Sequence, residues 1–162
     1  DSVASRGLGD VYKRQGLDDP TLLDVGSRTV EISEFILELI DAGEFPVEEL
    51  KRWDITIPYH QPCQVKSQGI GKPAIRMMET VPGVTVIESG EACCGIAGTY
   101  GLKKEKYEIA QAVGKPLFDM IKRTNPKLAA CETETCRWQI RKGSGATVIH
   151  PIEVIHRALG LA

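Results

Sequence analysis

Residues 54–94 read DITIPYHQPCQVKSQGIGKPAIRMMETVPGVTVIESGEACC. Asp54 to Tyr59 is a short β-rich run. Pro73 follows a loop with Gly69, Ile70 and Gly71 and suits the first turn of a helix, whose apolar positions are Ile75, Met78 and Val81. Gly83 to Ile87 is a second β run. Cysteine follows each run within a few residues: Cys63 after the first, Cys93 and Cys94 after the second.

The same order continues in both directions. Residues 103–124 place Ala110, Val113, Gly114, Leu117, Phe118 and Ile121 on one helical face, and Pro116 is expected to kink or split that helix. Residues 127–130 read as a third, weaker strand, with Cys131 and Cys136 beyond it. Residues 146–149 read as a fourth, and Pro151 starts a last helix with Ile152, Ile155, Ala158 and Leu159 inward. Upstream, Ile32, Phe35, Ile36, Leu39 and Ile40 have amphipathic helical spacing within residues 30–43, with Ser33 as cap and Gly43 as stop. A helix followed by four strand–helix units predicts an α/β fold: a small, mostly parallel sheet flanked by helices on both faces.

Composition narrows the function. Of 162 residues, 42% are hydrophobic and 26% charged, with a net charge of −2. There is no basic surplus to neutralise phosphates, so no nucleic-acid partner is expected. No run of about 18 apolar residues occurs, so no transmembrane segment is expected. Residues 1–15, DSVASRGLGDVYKRQ, show neither structural period nor the apolar stretch of a signal peptide. They resemble translated adapter sequence and are set aside as a non-native tail.

All five cysteines lie just past the carboxyl ends of predicted strands. That edge is where open α/β sheets bind ligands. An odd number of thiols on loops, without an export signal, points to metal or redox chemistry rather than structural disulfides. Soft thiolates select zinc, copper(I) or iron–sulfur clusters. Five exceed the four ligands of a closed zinc site. The adjacent Cys93 and Cys94 side chains point apart, which suits an object with several metal atoms.

Three stretches carry a family resemblance: Tyr59-His60-Gln61-Pro62-Cys63, the loop Cys93-Cys94-Gly95-Ile96-Ala97-Gly98-Thr99-Tyr100-Gly101, and Glu134-Thr135-Cys136-Arg137-Trp138. They resemble the CCG, or cysteine-rich, domain of iron–sulfur subunits in redox complexes. The text is most similar to C-type subunits of anaerobic glycerol-3-phosphate dehydrogenases. The resemblance implies that Cys63, Cys93, Cys94, Cys131 and Cys136 hold an iron–sulfur cluster (4Fe-4S or non-cubane), with zinc as the alternative cofactor. It implies flavoprotein subunits as partners, electrons passed toward the quinone pool, and a cytoplasmic, peripheral place on the inner face of the membrane. Residues 16–50 are then a linker plus an amphipathic helix continuing from a missing upstream part, and residues 51–162 the C-terminal CCG domain.

Two departures stand out. A histidine often follows the first cysteine in the family, and here Gln64 does. The terminal pair is usually separated by two residues, and here four residues lie between Cys131 and Cys136. Around the cysteines, Gly95, Gly98 and Gly101 either direct amides at cluster sulfur or form a plain turn. His60 and His150 read as outer hydrogen-bond partners of a ligand or as backbone-satisfied histidines, with a Cys–His nucleophile as a further option for His60. Trp138 is expected in the core or screening the site, and His156 on the surface. The rival functions are a heterodisulfide-reductase-like thiol/disulfide module and a zinc-holding structural domain.

Overall fold

The computed structural model describes residues 20–125 and 127–161. The tail assigned to residues 1–15 lies outside the described residues. Four strands, β1 (Ile55–Tyr59), β2 (Val84–Glu88), β3 (Leu128–Ala130) and β4 (Thr147–Ile149), form a parallel sheet in the order β2-β1-β3-β4. Each lies within one residue of its expected bounds at either end. The helices are α1 (Pro20–Arg28), α2 (Ile32–Asp41), α3 (Cys63–Lys66), α4 (Pro73–Glu79), α5 (Tyr107–Thr124), α6 (Glu134–Ser144) and α7 (Pro151–Ala158). Pro73 and Pro151 both open their helices, where the missing N–H is unneeded.

The sheet buries a core on each face. On one, Leu37, Met77, Met78, Val81, Val154 and Ile155 pack over Ile57 and Ala130. On the other, Leu117, Phe118, Ile121 and Ile140 pack over Ala129 and Val148. Leu37 and Leu50 belong to the first core, so the segment before residue 51 packs into the same unit as the sheet.

Pro58 sits in the inner strand β1. Its neighbour β2 is matched along the whole strand, from Ile55↔Val84 to Tyr59↔Glu88. Pairing with β3 is confined to Tyr59↔Ala130. Proline has no N–H to give, Thr56 O accepts the Asn125 side chain at 3.0 Å, and His60 N donates to Ala130 O at 3.1 Å. The seam between β1 and β3 is therefore short and joins the strands at their carboxyl ends.

Several expectations change. α2 is capped by Glu31, whose carboxylate accepts Ser33 N at 2.7 Å. Ser33 itself is buried with Leu37, which turns Ile32 (41% exposed) and Phe35 (44%) outward. Within residues 16–50, Pro20–Arg28 form α1 ahead of the amphipathic helix. Pro116 does not split α5, because it and Ala112, whose carbonyl would have taken its N–H, lie on the exposed side. The same rotation leaves Val113 51% exposed. Trp138 is 49% exposed: Cys136, Gln139 and Ile140 take the inner face of α6, and Trp138 lies outside it.

Candidate metal centre

The strand order reverses between β1 and β3, so the loops leaving them diverge and open a crevice at the carboxyl edge. Backbone bonds bring the first residues beyond three strands to that edge. His60 N donates to Ala130 O at 3.1 Å, Ser89 N to Tyr59 O at 2.8 Å, and Cys131 N to Ile149 O at 3.0 Å.

Four of the five cysteines line one pocket there. Cys63 opens α3, Cys93 and Cys94 come from the loop after β2, and Cys136 lies in the first turn of α6. His60, Ile96, Ala97, Thr133 and Thr135 complete much of the wall. Cys94 Sγ donates to Cys136 Sγ at 3.1 Å, and Cys93 Sγ accepts Gly95 N at 3.2 Å. The bond to Cys136 and burial push the Cys94 thiol far up. The Cys131 thiol and burial push Cys136 up to about 12, against the bond from Cys94, which lowers it. In the metal-free protein both thiols are therefore held toward the protonated form, and binding a metal would release their protons.

Cys131 is fully buried and sits behind Cys136 rather than in the pocket wall. β3 ends at Ala130, and Thr133 is already the residue before α6. The four-residue spacer therefore spans one tight turn and the helix start, which returns Cys136 to Cys131. No extended strand separates them.

The double-cysteine loop is built on close backbone approach. Gly95 has φ +91°, and a Cβ there would lie 2.0 Å from Ala110 O. Gly114 on α5 faces Cys94 O, where a Cβ would stand 2.4 Å away. Ala97 has φ +46°, a conformation uncommon outside glycine. Gly98, in contrast, has open space around its missing side chain.

The histidines part company. His60 is 1% exposed, with Nδ1 3.1 Å from Ser89 Oγ and a buried Nε2 that has no partner among the described residues. Burial and the nearby Lys66 hold it down at about 4. His150 Nδ1 instead accepts Ile152 N at 3.2 Å and caps α7. His156 is exposed.

Two features went unread in the sequence. Ser89 orients His60, and the register Tyr59↔Glu88 makes the next residues neighbours. Tyr59 donates its hydroxyl to Glu132, beside Cys131. Burial raises that carboxyl to about 7. The pairing depends on a sheet register that periodicity does not reveal.

Among the described residues, no three His, Cys, Asp or Glu side chains are grouped as ligands of a single ion. The donors are nevertheless almost all sulfur, and they arrive from three separate loops. A donor set so rich in sulfur suits a soft, thiolate-bound metal group. Nothing supports the zinc alternative. Among the described residues, no helix is long and apolar enough to cross a membrane.

Known proteins show the same likeness. The C subunit of the anaerobic glycerol-3-phosphate dehydrogenase of Escherichia coli K12 is 37% identical over 110 residues, 68% of this chain and 28% of that protein. The B subunit of the fumarate reductase (CoM/CoB) of Methanothermobacter marburgensis is 29% identical over 115 residues, 69% of this chain and 22% of that protein. The glycolate oxidase iron–sulfur subunit of Escherichia coli K12 is 26% identical over 162 residues, 94% of this chain and 38% of that protein. The chain thus spans well under half the length of these relatives. No solved structure matches. The sequence model of the cysteine-rich (CCG) domain matches residues 57–141, from within β1 to within α6, and the chain belongs to that family.

Proposed function

We propose that this chain is an iron–sulfur electron-transfer module, the cysteine-rich C-terminal part of a subunit like that of anaerobic glycerol-3-phosphate dehydrogenase. The observation that carries it is the convergence of Cys63, Cys93, Cys94 and Cys136 from three loops on one pocket at the sheet crevice, with Cys131 directly behind. Two of the relatives are dehydrogenase and reductase subunits, and a third is named as an iron–sulfur subunit.

When bound, an iron–sulfur cluster of the 4Fe-4S or a non-cubane kind accepts and returns electrons. The five cysteines would hold it as thiolates. Gly95 lets the loop close against α5, so Cys93 and Cys94 are presented from a fixed backbone. Ile96 and Phe118 belong to the core beneath and keep water away from the buried thiols. Flavoprotein subunits would deliver electrons and the quinone pool would receive them, with the assembly peripheral on the inner face of the membrane.

The test is iron and acid-labile sulfide analysis on full-length protein purified without oxygen. Iron and sulfide together, with broad visible absorbance that bleaches under dithionite, are expected. A colourless protein carrying zinc would overturn the reading.

A further inference from the structure

We propose that His60 is a positioning residue for the bound cluster, with Nε2–H donating a hydrogen bond to a sulfur of the cluster or of its thiolate ligands. This rests on the iron–sulfur reading above and adds to it a specific determinant of reduction potential.

Glu91 N lies 3.3 Å from Ser89 Oγ and donates to it. Ser89 Oγ in turn lies 3.1 Å from His60 Nδ1. A serine hydroxyl has one proton to give. If it goes to Nδ1, every group in the chain from Glu91 to the ring is satisfied, and the ring proton sits on Nε2. The reverse assignment makes Ser89 Oγ accept twice and leaves its own proton without an acceptor among the described residues. It would also leave the buried Nε2 as a bare lone pair with no donor among the described residues. Neutral His60 is therefore the Nε2–H tautomer.

That N–H has nowhere else to go. Nε2 is buried, without a partner among the described residues, and its residue is 1% exposed. A buried donor left unmade is costly, so an unpaired one asks for an explanation. His60 lines the same pocket as Cys63, Cys93, Cys94 and Cys136, and a cluster held there would bring sulfur acceptors to that pocket. The backbone cannot swing the ring away, because His60 N is tied to Ala130 O and Ser89 N to Tyr59 O. A ring only 1% exposed favours its uncharged form, so it acts as a neutral donor. A hydrogen bond to cluster sulfur favours the reduced, more negative form and raises the potential.

The experiment is a redox titration of cluster-loaded full-length protein, followed by visible absorbance, with iron and sulfide content and circular dichroism measured on each sample. His60→Leu should keep its iron and shift to a more negative potential. His60→Gln, whose amide Nε2 restores a donor at a similar reach, should return most of the shift. Ser89→Ala frees the tautomer and should shift the same way by less. If His60→Leu does not fold, Ser89→Ala against His60→Gln makes the same comparison. Identical potentials in all folded variants would overturn the donor role. Loss of iron from both His60→Leu and His60→Gln would overturn it too, by making the imidazole a ligand. A wild-type protein that binds no iron or sulfide would overturn the cluster reading itself.

Discussion

On one face of the sheet, Met77, Met78, Val81, Val154 and Ile155 close over Ile57 and Ala130, and the sulfur present is thioether. On the other, Leu117, Phe118, Ile121 and Ile140 share their core with the thiols of Cys94, Cys131 and Cys136. Both are buried and apolar, yet their construction differs. The first is filled by Met77 and Met78 together with the branched Val81, Val154 and Ile155. The second is closed by glycine: a Cβ at Gly95 would strike Ala110 O, one at Gly114 would meet Cys94 O at 2.4 Å, and one at Gly143 would meet the Phe118 ring at 2.2 Å. Side-chain volume determines the first packing. Backbone proximity determines the second, which is what a site needs when its donors must be held in place. One face thus supplies stability and the other supplies geometry.

Substitutions can break that division. Met77→Ala empties a fully buried position on the first face. It should cost about 2–5 kcal/mol in urea unfolding. Iron per folded molecule should stay at the wild-type level, and a proportional loss of iron would erase the distinction between the faces. Gly95→Ala attacks the second face. Its Cβ meets backbone at 2.0 Å and its φ is +91°, so roughly 1–3 kcal/mol of strain is expected, together with loss of bound iron. Gly98→Ala has a positive φ but open space, and should cost about 1 kcal/mol with iron retained. Equal iron in the two glycine variants would show that the close approach to α5 does not serve the site.

The widened cysteine pair gives the next effect. Cys131→Ser should lower iron affinity by at least the roughly 10–100-fold that supporting residues of metal sites command, whereas Thr133→Ala should not. Full iron and unchanged spectra in Cys131→Ser would leave four protein thiolates at the centre.

The smallest effect separates the faces by pH in the metal-free protein. Glu132 is raised from its ordinary 4.5 to about 7. A raised folded value contributes stability that is present below the ordinary value and lost as pH climbs through the folded one. Wild type should therefore gain on Glu132→Gln as pH falls from about 7 to 4.5. His60 is lowered from 6.5 to about 4, so its sign is opposite. Wild type should lose ground to His60→Gln as pH falls across that interval. Thermal melts of the three proteins at several pH values check both signs, and slopes of one sign for both would contradict the assignment.

Much of the fold could be read from residue order. The four strands are short β-rich runs ending in polar loops, and Pro73 and Pro151 announce their helices because a missing N–H costs nothing there. What failed were rotations. Leu37 rather than Ile32 points inward, Val113 and Trp138 face solvent, and Ser33 yields the cap to Glu31. Helical period tells that a face exists, but neighbouring elements choose which flank of a broad apolar stripe is covered. Of the candidate site, the cysteine positions were legible because each follows a strand. The partner of His60 and the Tyr59–Glu132 pair were not, since both depend on which strands become neighbours.

The sequence by itself determined the parallel α/β class, the edge at which the thiols gather, and the soft-donor chemistry, because alternation and residue type are local properties. Only the tertiary structure decided that β1 and β3 meet at a short seam, that the turn after β3 folds Cys136 back onto Cys131, and that Ser89 aligns His60 beside them. Those are contacts between residues far apart along the chain. They are set by strand order, register and close packing, which no local pattern specifies.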